Sequence, residues 1–300
     1  MSYKEDYLEF QRRKEVLRAH PMSDIFFHQE KRYVHPFRIY GNVYYVGDSW
    51  VCVHLIDTGD GLLLIDSGNV CATAWLVQAI WEAGFRPDDV KWIILSHGHL
   101  DHTGGAQFFR DTFGSKLYLG EPDAQMFAAH PEFSLIQDSP SLLDDVFTPD
   151  EVIREGDVLQ FGSVTISCVL VPGHTAGCVA LFFDAEENGV KKRCGYYGGF
   201  GFNTLTVQHL NEYGDTARTM WQTYEDSIRK VLRRKVDIFL GNHTVNNRTL
   251  EKQSMLEKDP SVNPFIDPSE WETYLSAKID ELHAFIREQT ACDTHPEMCL

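Results

Sequence analysis

Ser96-His97-Gly98-His99-Leu100-Asp101-His102-Thr103-Gly104-Gly105 follows directly on the apolar run Lys91-Trp92-Ile93-Ile94-Leu95. The run reads as a buried strand. A buried strand that ends in His97, His99, Asp101 and His102 must desolvate four titratable side chains beside an apolar segment, a cost that metal binding offsets. Neutral imidazole is a good zinc ligand, and a carboxylate adds an anionic donor that can orient a bound water. In an extended chain residues i and i+2 point the same way, so His97 and His99 can share one ion. The turn that follows can then redirect Asp101 and His102 to a second. Gly98 and the pair Gly104-Gly105 are expected to let the backbone bend sharply around the ions.

Two further runs end in the same way, "CVLVPGH" at His174 and "DIFLGNH" at His243. Either histidine alone reads more readily as a surface or satisfied residue than as a ligand. Ligands in layered folds collect at strand tips, so His174 and His243 could converge on the cluster and complete two metal centres from six donors. His54, His130, His209 and His283 have no such company and read as structural or exposed.

Around these runs, "RIYGNVYYVG", "VCVHLIDTG" and "GLLLIDSG" read as a meander with a hairpin turn at Gly59-Asp60-Gly61. "ATAWLVQAIWEAG", "GAQFFRDTFG" and "EPDAQMFAAH" have helical spacing and alternate with strands, and residues 121–150 look like an excursion at the sheet edge. The second half repeats the plan with "DVLQFG", "VTISCVLVPGH", "CVALFFD" and "KRCGYYGG" as strands. The long helix "ARTMWQTYEDSIRKVLRR", the strand "VDIFLGNH" and a final helix from "PSEWETYLSAKIDELHAFIREQ" follow. Two such halves imply two sheets packed face to face with helices outside. The expected organisation is an N-terminal helical extension over 1–30, one large α/β domain over 31–260, and a C-terminal helix and tail over 261–300 packed on the same domain.

Composition narrows the partners. With 27 Lys plus Arg against 44 Asp plus Glu, the net charge of −17 repels phosphate backbones and anionic membranes, so a small-molecule substrate is expected, with no nucleic acid and no membrane. Nowhere do eighteen apolar residues run together. The opening residues lack an apolar signal-peptide core, and seven scattered cysteines fit reduced thiols, so the expected compartment is the cytoplasm. Oligomeric state is not readable from the pattern.

His97-Gly98-His99-Leu100-Asp101-His102 resembles the H-x-H-x-D-H signature of the metallo-β-lactamase superfamily. "GLLLIDSG", "VPGHTAGCVALFF" and "LGNH" are similar to further segments of that family, over roughly residues 38 to 250. The resemblance implies a four-layer αββα sandwich and a binuclear centre with two Zn ions per chain. His97, His99 and His174 would hold the first, and Asp101, His102 and His243 the second. Asp66 would then be a partner that orients a metal ligand, although a turn-capping aspartate reads equally well.

One departure stands out. Most hydrolytic members carry a bridging aspartate after the strand that follows the third histidine; here the segment is Tyr196-Tyr197-Gly198-Gly199-Phe200, and no acid lies between Glu187 and Glu212. The resulting donor set is similar to the β-lactamase subclass with an Asp-His-His second zinc, and weaker retention of that ion is expected. Phe200, Phe202, Asn203 and Tyr213 either wall the site or belong to the core, with Asn203 and Tyr213 as candidates to polarise a substrate carbonyl. Cys292, His295 and Cys299 superficially resemble a ligand set, but lack a fourth member and read as a loose terminus.

The expected activity is zinc-dependent hydrolysis of an amide, lactone, ester or thioester, with Asp101 orienting the nucleophile and relaying its proton. A phosphodiesterase of the same fold is disfavoured by the charge and the missing acid. In flavodiiron-like oxidoreductases a glutamate occupies the place of His99, and the nitrogen-rich donors here favour zinc. A non-catalytic binding module would have little reason to keep all six donors.

Overall fold

A computed structural model describes residues 2–19, 23, 27–139, 141 and 144–294. Seven strands form the first sheet in chain order: β1 (Phe37–Tyr40), β2 (Val43–Tyr45), β3 (His54–Asp57), β4 (Leu62–Ile65), β5 (Val90–Leu95), β6 (Lys116–Gly120) and β7 (Glu151–Ile153). Neighbours are antiparallel as far as β4 and parallel from β4 to β7. Parallel neighbours need crossovers. The β4–β5, β5–β6 and β6–β7 connections accordingly carry α2 (Thr73–Glu82), α3 and α4 (Leu100–Thr103 and Ala106–Phe113), and α5 (Glu121–Ala129), after α1 (Tyr3–Ala19) at the start of the chain.

The second sheet has the order β12-β11-β10-β9-β8, with β8 (Val158–Phe161), β9 (Val164–Leu170), β10 (Val179–Glu187), β11 (Val190–Tyr197) and β12 (Ile238–Leu240). Its strands are antiparallel except for β12, which runs parallel to β11 after the helical return through α6 (Val207–Glu212) and α7 (Thr219–Leu232). Two helices follow, α8 (Thr249–Lys258) and α9 (Glu270–Thr294).

Side-chain alternation sorts these elements into layers. Leu63 and Ile65 of β4 and Ile94 of β5 meet Leu181, Phe183 and Tyr196 between the sheets. Leu62, Leu64, Ile93 and Leu95 point the other way, onto Leu76 and Ile80 of α2, Phe109 of α4 and Met126 of α5. On the far side, Ala180 and Phe182 pack with Tyr224 and Ile228 of α7 and with Trp271, Leu275 and Leu282 of α9. The result is an αββα sandwich in four layers. α1 has no buried residue, with Tyr3, Tyr7 and Phe10 among its exposed side chains.

Three local features differ from the expectations. β7 is only three residues long and α8, "TLEKQSMLEK", is polar nearly all round, so neither carries a periodic signal. Residues 131–138 form 3₁₀ turns that reach the mouth of the central cavity, where Leu135 and Asp138 line it. Gly104 and Gly105 have ordinary φ of −62° and −84°, so they make no sharp bend. Their role is close approach, because a Cβ on Gly104 would stand 2.1 Å from the Val70 amide nitrogen. Among the described residues no helix is long and apolar enough to cross a membrane. His295 and Cys299 lie outside the described residues, as does the side chain of Cys292.

Candidate metal centre

β5 ends at Leu95, and the next residues are held from both flanks. The Ser96 amide donates to Asp66 Oδ1 (2.7 Å), and the Gly98 amide donates to Asp123 Oδ2 (2.7 Å). A side chain at Gly98 would press on Met126 and Phe127 within 3.0 Å, so the loop can lie flat on α5 only with glycine there. His99 then precedes the single turn of α3, which carries Asp101 and His102 back towards His97. His174 comes from the end of β9, and His243 follows β12. His243 is pinned because Val51 pairs with it in an antiparallel bridge, and the Cys52 amide donates to the Asn242 carbonyl (2.9 Å).

All six sequence-selected donors converge. Ring centroids of His97, His99 and His174 are 4.5–4.8 Å apart, with one nitrogen of each within 4.8 Å of the others; His97, Asp101 and His102 satisfy the same limit. In the second set, His102 Nε2 lies 3.2 Å from His243 Nε2, and Asp101 Oδ2 lies 3.5 and 3.6 Å from those two nitrogens. Ligands held about 2.05 Å from a tetrahedral zinc are about 3.3 Å apart, so these three atoms have the spacing of a tetrahedron's edges.

Hydrogen bonding decides which nitrogens face inward. His174 Nδ1 lies 2.9 Å from the Gly201 carbonyl and His243 Nδ1 lies 3.2 Å from the Trp50 carbonyl, so both donate from Nδ1 and keep a lone pair on Nε2. His102 Nδ1 donates to Asp66 Oδ2 (2.7 Å), which leaves Nε2 facing that of His243 at 3.2 Å. Two lone pairs at that separation repel unless a cation lies between them. The Nε2 atoms of His97 and His99 are buried without any partner, which is costly for a polar atom and expected for a metal ligand. Burial and the neighbouring imidazoles hold His97 and His99 well below the usual histidine range, and burial takes His174 and His243 down to about 4. These rings are therefore neutral at physiological pH, as ligation requires. His102 is the exception: burial opposes its charge, but Asp101 and Asp66 raise it. The donor set fits a pair of zinc-like dications.

Asp66 is fully buried at the end of β4 with φ of +65°. Besides Ser96 and His102 it accepts the Tyr196 hydroxyl (2.5 Å) from the opposite sheet. It therefore orients His102 and does more than cap a turn. Asn203 lies at the surface of a cavity of about 280 Å³ that opens over the donors, also lined by Trp50, Leu135, Asp138 and Asn242. Tyr213 does not join it; its ring packs on Phe133 (4.8 Å) beside a narrow apolar slot on the other side of His99 and His174. Phe200 serves both readings, stacking on Tyr197 (4.5 Å) while lining the cavity. Phe202 is core, stacked on Phe285. His54 is fully buried, whereas His130 is exposed.

Several site residues carried no sequence signal. Asp123 is fully buried and also accepts from the Gly177 amide and the Thr175 hydroxyl, while burial pushes its carboxyl upward. Trp50 packs 5.0 Å from the His243 ring. His209 lines the slot beside His99 and His174, so it has the company that its isolation in the sequence concealed.

A αββα sandwich with nitrogen-rich metal donors at its strand tips defines a metal-dependent hydrolase of a known architecture. The chain belongs to the metallo-β-lactamase superfamily, whose family model matches residues 51–187. ML0493 of Mycobacterium leprae is 33% identical over 183 residues, covering 59% of this chain and 79% of that protein. Hydroxyacylglutathione hydrolase GloC of Haemophilus influenzae is 27% identical over 221 residues, 72% of this chain and 92% of that enzyme. Among solved structures, BJP-1, a subclass B3 metallo-β-lactamase of Bradyrhizobium japonicum, superposes with a TM-score of 0.78 at 25% identity, covering 88% of this chain and 98% of that one.

Proposed function

We propose that this hydrolase cleaves a small acyl substrate at a two-zinc centre, with His97, His99 and His174 holding one ion and Asp101, His102 and His243 the other. The observation that carries the reading is the convergence of six donors beside a cavity of about 280 Å³. The similarity to GloC, a hydroxyacylglutathione hydrolase, and to the β-lactamase BJP-1 supports an acyl bond, whether thioester, ester, lactone or amide.

When bound, zinc supplies Lewis acidity, which polarises an acyl carbonyl and makes water nucleophilic at neutral pH. The chain's own residues do the rest. Asp66 holds the proton of His102 at Nδ1, and the Gly201 and Trp50 carbonyls do the same for His174 and His243. Asp101, whose side chain is 16% exposed, presents the carboxylate that orients the attacking water, accepts its proton and returns it to the leaving group. Trp50 and Phe200 narrow the space open to bulk water, and Asn203 donates towards a substrate carbonyl.

The test compares zinc-loaded protein with its Asp101→Ala variant on thioester, lactone, β-lactam, ester and phosphodiester substrates. One acyl class should turn over and fall by at least about 10²-fold in the variant, with the melting temperature of the metal-free protein nearly unchanged. Turnover confined to phosphodiesters, or turnover indifferent to Asp101, would refute the proposal.

A further inference from the structure

We propose that Asn69 is a substrate-binding residue, and that the cavity over the metal donors is built for an uncharged acyl substrate whose polar group its carboxamide engages. The inference rests on the acyl-hydrolase reading above and names a substrate class for that site. Asn69 lies three residues beyond Asp66, in the loop between β4 and α2, and the residue is 1% exposed. Both the oxygen and the nitrogen of its carboxamide are buried without a hydrogen-bond partner. Its backbone carbonyl is occupied, accepting from the Ala72 amide (2.9 Å), so the loop is ordered independently of the side chain. Leaving a whole carboxamide unpaired is costly, and nothing in the surrounding fold recovers that cost. Yet Asn69 lines the cavity together with His99, Asp101 and His243. A residue that bounds the space beside the reacting atoms, and whose carboxamide has no partner to give up, needs only a side-chain rotation to offer that carboxamide to a ligand.

The chemistry of the lining selects that ligand. A carboxamide offers one acceptor and two donors, which complement a lactam, amide or carbonyl-hydroxyl pair better than a lone anion. Among the described residues lining the cavity there is no lysine or arginine, while Asp101 and Asp138 contribute carboxylates. A substrate carboxylate held out of reach of the two ions would meet Asp138 with no lysine or arginine to pair with it. Trp50, Leu100, Leu135 and Phe200 supply the apolar contact that a neutral acyl group requires.

Two measurements on the zinc-loaded protein test this, each with Asn69→Leu alongside. The first titrates 2-pyrrolidinone and its 5-carboxylate, unstrained lactams differing in one charge, into protein carrying ¹⁵N-asparagine. The Asn69 side-chain signals, identified by their loss in the variant, should shift with the neutral lactam and at least tenfold less readily with the anion. The second compares 4-nitrophenyl hexanoate with its ω-carboxylate counterpart. The wild-type protein should prefer the neutral ester by at least tenfold in kcat/KM, and Asn69→Leu should raise KM for that ester about tenfold with kcat less affected. Because Asn69 makes no side-chain bond to lose, the variant should keep or gain melting temperature. Unmoved Asn69 signals at saturating lactam, equal response to the two charges, or a variant that loses stability while keeping its KM would overturn the inference. Failure to cleave either ester while the lactam still shifts Asn69 would instead tell against ester hydrolysis and leave the binding role supported.

Discussion

Asp66→Asn isolates the orientation of one metal donor from the fold that carries it. Asp66 accepts three hydrogen bonds, from the Ser96 amide, His102 Nδ1 and the Tyr196 hydroxyl. Removing the carboxylate altogether, as in Asp66→Ala, would orphan three buried donors at about 1–3 kcal/mol each and place alanine at φ of +65°, so loss of the fold would obscure the effect. Asparagine tolerates that conformation, and its oxygen can keep the Ser96 bond. Its NH₂ group, however, faces His102 Nδ1 and must donate. His102 is then forced into the tautomer with its proton on Nε2, the atom 3.2 Å from His243 Nε2 and 3.5 Å from Asp101. A protonated nitrogen cannot ligate. The expected loss at the second site is about 10- to 100-fold in zinc affinity, or about 1.4–2.8 kcal/mol. Stability should fall by only about 1–2 kcal/mol as the charge-assisted bonds weaken. Competition against a chelating dye, with unfolding measured on the metal-free protein, separates the two quantities. Wild-type zinc affinity in a folded Asp66→Asn protein would refute the claim that Asp66 sets the tautomer of His102.

Other consequences are measurable independently. Burial takes His54 down to about 4, against about 6.5 unfolded, so the unfolded chain binds the extra proton between these values. Stability should therefore fall as pH drops from 6.5 towards 4, by about 3 kcal/mol in total from this residue; denaturant unfolding of His54→Gln should show a shallower dependence, and an identical slope would contradict the assignment. Gly104→Ala places a Cβ 2.1 Å from the Val70 nitrogen and 2.6 Å from the Asn69 carbonyl carbon, all backbone, and should cost about 2–3 kcal/mol in chemical denaturation. Zinc should leave in two separate steps during dialysis against chelator, because one donor set holds three neutral imidazoles and the other includes a carboxylate without a bridging acid; simultaneous loss of both ions would tell against unequal sites.

Much of the site was legible because its donors announce themselves chemically. His97, His99, Asp101 and His102 are crowded on one strand end, and His174 and His243 repeat its grammar at a distance. The layers were legible for a related reason: β4 and β5 are apolar on both faces, which only a strand covered on both sides requires. What stayed hidden is whatever depends on three-dimensional neighbours without a residue-type signature. Asp123 reads as an ordinary helical aspartate until Gly98 and Gly177 bring their amides to it. Tyr213 looked like part of the wall because it follows Asn203 closely in sequence, but α6 carries it to the far side of His99 and His174. Gly104-Gly105 looked like a sharp bend because glycine is permissive, whereas its small size is what the 67–70 loop needs.

The hydrogen bonds also explain why the site and the fold form as one unit. Tyr196 belongs to the second sheet and Asp66 to the first, so the bond between them crosses the inter-sheet core before Asp66 reaches His102. The segment around Trp50 makes a parallel tie, pairing Val51 and Cys52 of the first half with Asn242 and His243 of the second. Each of the two donor sets draws on both halves of the chain, through His174 in one and His243 in the other. Neither set can assemble unless the sheets have packed in register, and an ion bound to either adds its binding energy to the sheet interface. Metal affinity and the stability of the sandwich are accordingly coupled quantities, and a substitution in the inter-sheet core, such as Leu181→Ala, should weaken zinc binding without touching a ligand.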